Sequence, residues 1–152
     1  MLDEPFSGLD PVAVEFLSNV IVEHVRAGRT LLFSSHQLDL VEDLCETITL
    51  LHRGRVVLQG EVRQLKAQSA DRFLRVDVAV EPGWIDARLG ELVGTDASGS
   101  RVRLRPGADP GIVLDAVRAR ATVTDFAVEA PSLADLFLAA AGESVDAAGE
   151  EA

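Results

Sequence analysis

Asp3 and Glu4 stand side by side in MLDEPFSGLDP, after Met1 and Leu2 and before a rigid proline. Adjacent carboxylates at the frayed end of a strand can do separate jobs, because successive strand residues point to opposite faces. One can hold a hard cation such as Mg²⁺, which takes oxygen ligands and keeps several waters. The other can take a proton from an attacking water within hydrogen-bond reach. Alone, such a pair is weak evidence, since most carboxylates are solvated surface charges. The neighbours sharpen it. Ser7-Gly8-Leu9-Asp10 turns directly into Pro11, and His36 stands just past the next apolar run, with Ser35 before it.

These residues need elements to position them. Asp10 can cap a helix, and Pro11 fits its first position, where the missing N–H would go unpaired anyway. Ala13, Phe16, Leu17, Val20 and Ile21 recur at helical spacing, and Gly28 supplies the stop. RTLLFSS then reads as a short strand of the type buried on both faces of a parallel sheet, but without its parallel neighbours much of the burial of Leu31, Leu32 and Phe33 is expected to be lost, leaving an exposed edge. QLDLVEDLCE reads as a short helix with Leu38, Val41, Leu44 and Cys45 on one side. TITLLHRGRVVLQGE predicts two strands around a tight Arg53-Gly54 turn. GEVRQLKAQSA predicts a brief polar helix that serves as a linker. The order of elements is an α/β pattern.

From Arg72 the texture changes. RFLRVDVAV alternates as a half-exposed strand, PGWIDARLGEL reads as a helix, and SRVRLRPG alternates again after the turn at Asp96-Ala97-Ser98-Gly99. DPGIVLDAVRARA reads as a helix and TVTDFAVEAP as a strand. SLADLFLAAAG closes as a helix capped by Ser132, with Asp135 at its third position. The expected order is β-α-β-β-α-β, a small split βαβ sandwich of the ferredoxin-like kind, plus one helix. The boundary between the halves is expected near residues 66–72.

Composition narrows the function. The hydrophobic fraction of 47% suffices for a core, and the net charge of −11 argues against a nucleic-acid partner. The last ten residues, ESVDAAGEEA, read as an exposed acidic tail. The single cysteine, Cys45, reads as a buried small apolar residue, as in a reducing compartment. No apolar run approaches the ~20 residues of a membrane helix.

LDEPFSGLDP followed by TLLFSSHQLDLVEDLCETITLLHRGRVVLQG resembles the C-terminal half of an ABC-transporter ATP-binding domain over about residues 1–65. Residues 72–142, ending in APSLADLFLAAAG, are similar to the C-terminal accessory domain of ABC-2-type export ATPases. The resemblance implies an incomplete P-loop NTPase half over 1–68, a small α+β accessory domain over 72–142 and a disordered tail over 143–152. It implies that Asp3 organises Mg²⁺ as the Walker B aspartate and that Glu4 is the general base. Ser7, Gly8 and Asp10 then belong to the D-loop, which crosses to a partner subunit's nucleotide site, and His36 is the histidine that senses the γ-phosphate. His24 and His52 match nothing in the family and are expected at the surface.

The family's cofactors are ATP and Mg²⁺. Its partners are a second ATP-binding subunit and an integral-membrane permease, which places such a subunit in the cytoplasm, peripheral to the inner face of the cell membrane. The permease chooses the transported substrate. The chain holds no GxxxxGK[ST] loop, LSGGQ-type signature or glutamine loop. It is therefore expected to be a fragment, to bind ATP weakly on its own and not to hydrolyse it alone. Two other readings share some of these residues. One is a soluble ABC-type ATPase of DNA repair or translation. The other is a non-catalytic regulatory protein built on the βαββαβ unit.

Overall fold

The computed structural model describes residues 1–149, with side chains through residue 142. In chain order the elements are β1 (Leu2–Asp3), α1 (Pro11–Arg26), β2 (Phe33–Ser34), α2 (Leu38–Leu44), β3 (Thr47–His52), β4 (Arg55–Glu61) and α3 (Val62–Gln68). They continue with β5 (Arg72–Val76), β6 (Gly90–Asp96), β7 (Gly99–Leu104), α4 (Pro110–Arg118), β8 (Phe126–Glu129) and α5 (Leu133–Gly149). The chain divides into two compact units, one of Met1–Arg63 with the segment that begins at Ser132, the other Gln64–Pro131. The closing helix α5 makes its contacts with the first of these units. It also carries helix through residues 143–149, part of the stretch expected to be a disordered tail; the tail's residues 150–152 lie outside the described residues.

In the first unit β1 and β2 pair in parallel, Leu2 opposite Phe33 and Asp3 opposite Ser34. The helix between them begins as its sequence dictates: the Asp10 carboxylate accepts the Ala13 N–H at 2.8 Å, and Pro11 occupies the first turn. The strand expected over RTLLFSS shrinks to two residues, and Leu32 remains 65% exposed. Its partner β1 is itself only two residues long, so little of the run is paired or covered. Val12, Phe16 and Val20, spaced four apart on α1, are also exposed, and Ile21 is the buried residue of that helix.

The hairpin forms as expected, with Arg53 and Gly54 both at positive φ, the conformation a two-residue type I′ turn requires. Ser132 and Asp135 cap α5 reciprocally: the Asp135 carboxylate accepts the Ser132 N–H at 2.7 Å and the Ser132 hydroxyl accepts the Asp135 N–H at 3.2 Å. Glu42 adds a second anchor by accepting the Leu133 N–H at 2.7 Å. His52 is half-buried, its ring edge-on to Phe137 at 5.7 Å, and His24 is half-buried beside Arg29. Neither is the plain surface residue expected. Cys45 is only partly buried, and that burial still pushes its thiol up from the ordinary range.

The second unit holds a four-stranded antiparallel sheet of order β6-β7-β5-β8. Leu74, Val76, Val102 and Leu104 meet Val113, Leu114 and Val117 of α4 in one core. The strand order is that of a split βαβ unit, with β7 lying between β5 and β6. The first crossover, however, is not the expected helix. PGWIDARLGEL folds into turns that lead into β6. Pro82 and Gly83 (φ 87) break the helical path, and the Asp86 carboxylate accepts the Arg88 N–H at 2.9 Å, closing a local turn. Gly90 then lies so close to β7 that a Cβ there would sit 2.9 Å from Val102. Trp84, Ile85 and Leu89 still reach the core, so the apolar spacing read as helical is satisfied by a turning segment.

Two expected results follow from this architecture. The β5 and β7 amides will exchange with solvent far more slowly than those of β1 and β2, because the first pair lines a sealed core and the second lies at a half-covered edge. Comparable protection in both places would contradict the burial pattern. The second result concerns acid. Asp86 is held down to about 2 by the Arg88 side chain and backbone. Asp77 is lowered by the Thr124 hydroxyl and Asp96 by the Ser98 hydroxyl. Depressed carboxylates stabilise the folded state above their unfolded pKa of about 4 and lose that contribution as pH falls through the folded values. Trp84 fluorescence melts should therefore show a falling Tm between about pH 4 and pH 2, by a small step, since all three groups are solvent-screened. A flat Tm across that window would contradict these contacts.

Candidate active site

The parallel pairing of β1 with β2 brings the two halves of the site together. Leu2 N–H donates to the Leu32 carbonyl at 2.9 Å and Glu4 N–H to the Ser34 carbonyl at 3.2 Å, so the end of β1 is tied to the end of β2. Phe6 anchors the following loop. It is 2% exposed and stands edge-on to Phe33 with ring centres 5.8 Å apart. Its place in the sequence did not single it out.

Glu4 has a left-handed backbone, φ 45, which is uncommon for a residue with a Cβ. Its carboxylate Oε2 lies 2.9 Å from Nδ1 of His36. With Glu4 ionised the carboxylate accepts, so Nδ1 carries the hydrogen and donates, and Nε2 is left for another group. The pair is open to solvent, His36 72% and Glu4 38% exposed, so its effect is to orient the two side chains and not to stabilise the fold. Asp3 accepts a hydrogen bond from the Ser34 hydroxyl through Oδ1. A carboxylate has two oxygens, so that bond leaves acceptor capacity on Asp3.

Among the described residues no group of three or more His, Cys, Asp and Glu gathers as a metal cage. A hard cation such as Mg²⁺ commonly takes one or two protein carboxylates and completes its shell with water and phosphate oxygens, and the second oxygen of Asp3 is a donor of that kind.

Asp3, Glu4 and His36 thus lie at one edge, where the ends of β1 and β2 pair. The Asp10 carboxylate is the N-cap of α1, as its place before Pro11 suggested. Ser7 and Gly8 form an exposed turn, the Ser7 N–H donating to the Glu4 carbonyl at 3.1 Å and Gly8 at φ 75. Ser34 was not singled out by its sequence context. Only the register of β2 against β1 places it beside Asp3.

Residues 60–141, more than half of the chain, match the family described as ATP-binding protein DrrA1-3-like, C-terminal domain. The chain belongs to this family. It is 33% identical over 147 residues to an ABC transporter ATP-binding protein of Alkalihalophilus pseudofirmus, a match covering 93% of this chain and 54% of that protein. It is 30% identical over 143 residues to the ABC transporter ATP-binding protein YhaQ of Bacillus subtilis, covering 93% of this chain and 48% of that protein. A fluoroquinolones export ATP-binding protein of Mycobacterium tuberculosis is 32% identical over 85 residues, 56% of this chain and 28% of that protein. The chain spans about half the length of the first two curated relatives. Among the described residues no helix of this ABC ATP-binding family member is long and apolar enough to cross a membrane.

Proposed function

We propose that these residues form the water-activating part of the ATP-binding subunit of an ABC exporter, with the phosphate-gripping loop supplied by a segment outside this chain. The observation that carries this reading is the Glu4–His36 pair at 2.9 Å, one residue along from Asp3, at the end of two parallel strands. Mg²⁺, when bound with ATP, would neutralise charge on the transferred phosphoryl group. Asp3 would hold that ion as the Walker B aspartate. Glu4 accepts the proton of the attacking water. His36 is oriented by Glu4 through Nδ1, which presents Nε2 to the γ-phosphate.

The exposed turn at Ser7 and Gly8 faces a partner subunit's nucleotide site, and Asp10 contributes by fixing where α1 begins. The α+β unit and α5 together serve as the accessory domain. The partners are a second ATP-binding subunit and a membrane permease, which holds the assembly at the cytoplasmic face of the membrane. The names of the three relatives support this assignment, and that of the Mycobacterium tuberculosis protein supports the direction of transport.

The test compares two preparations. The 152-residue chain with Mg²⁺ and ATP should give no turnover above background. The same chain joined to a segment carrying GxxxxGK[ST] and the LSGGQ-type signature should hydrolyse ATP with a strict need for Mg²⁺. Mg²⁺-dependent turnover by the chain alone would overturn the division of labour proposed.

A further inference from the structure

The two strands that meet at the site are joined by more than backbone pairing. The Ser34 hydroxyl donates to Oδ1 of Asp3 and, through the same oxygen, accepts the Glu4 N–H at 3.1 Å. The Ser34 carbonyl takes that N–H as well, at 3.2 Å. One side chain therefore grips both members of the carboxylate pair, and it does so where Glu4 leaves the ordinary strand conformation for φ 45. Adjacent strand residues would otherwise send their side chains to opposite faces. A left-handed backbone at a residue with a Cβ persists only when its surroundings over-determine it.

We propose that Ser34 is a positioning residue: its hydroxyl sets the rotamer of Asp3 for a divalent cation and holds Glu4 in the backbone conformation that brings its carboxylate to His36. The inference rests on the reading of Asp3 as the cation ligand. Its physical basis is that a carboxylate ligand is itself oriented by a hydrogen-bond donor, and removing such a donor weakens metal binding by about tenfold. Threonine keeps the hydroxyl. Alanine removes it, and cysteine keeps the volume while offering only a weak donor.

Mn²⁺ serves as the probe, titrated into the 152-residue chain and followed by paramagnetic broadening of the Asp3, Glu4 and Ser34 resonances. Expected is broadening confined to this end of β1 and β2, with Ser34→Thr matching the parent chain. Ser34→Ala and Ser34→Cys should each need about tenfold more Mn²⁺ for the same effect. In the same two variants the Glu4–His36 ring contacts seen by nuclear Overhauser effects should weaken. Spectra of β5 and β7 report whether each variant is folded, and the cysteine variant tests the hydroxyl should alanine disturb the strand. Unchanged Mn²⁺ response and ring contacts in folded Ser34→Cys would overturn the proposal. Asp3→Asn separates the two layers. If it leaves the broadening intact, the cation reading of Asp3 fails. If it abolishes the broadening while Ser34→Cys does not weaken it, only the role given to Ser34 fails.

Discussion

Glu4→Gln, made in an ATP-binding subunit that contains this segment, will lower ATP turnover by about 10²–10⁴-fold, the range a positioned general base contributes. The amide keeps the shape of the side chain and can still meet the His36 ring, but it cannot take a proton. Nucleotide binding should survive, because Glu4 contacts His36 and its own strand neighbours and is assigned no part in gripping phosphate. Steady-state hydrolysis together with binding of a fluorescent ATP analogue checks both halves of the expectation. Retained turnover in Glu4→Gln would remove the base from the scheme. A parallel loss of binding would instead place Glu4 among the groups that hold nucleotide. His36→Ala should also slow turnover, since the pairing runs through Nδ1 and leaves Nε2 free to reach a phosphate.

The second large effect concerns stability. Phe73→Ala should destabilise the α+β unit by about 3–5 kcal/mol, the usual cost of emptying a buried aromatic site. Phe73 is fully buried on β5, and the Arg101 guanidinium lies 3.7 Å above its ring, so the truncation removes both packing and a cation–π contact. Against a typical domain stability of about 5–15 kcal/mol, that is a large share. Urea melts followed by Trp84, the single tryptophan, report on this unit directly. Phe16→Ala provides the contrast. Phe16 is 71% exposed on α1, so the same chemical change should leave stability nearly untouched. Equal effects from the two substitutions would mean that the burial pattern described here is wrong.

Read residue by residue, the chain declared its local structure well. The Asp10 and Pro11 helix start, the Arg53-Gly54 turn and the Ser132–Asp135 cap each depend on a few neighbouring residues, and each formed as expected. The carboxylate pair Asp3–Glu4 and His36 were legible as residues near the ends of apolar runs, and their meeting at one edge came from the pairing of β1 with β2. What the sequence could not convey was settled by contacts between distant residues. PGWIDARLGEL has apolar spacing compatible with a helix, yet Gly90 pressed against Val102 and the turn closed by Asp86 make it a crossover of turns. RTLLFSS has the composition of a buried strand, and its exposure was already expected, since a strand needs partners and β1 offers only two residues.

Ser34 shows the same division most plainly. The amino acids alone determined that a carboxylate pair and a histidine exist, each near the end of an apolar run. Only the parallel register of β1 on β2 decided that one serine hydroxyl would touch both carboxylate-bearing residues, because hydrogen bonds between residues thirty apart depend on how strands align and not on which residues adjoin them.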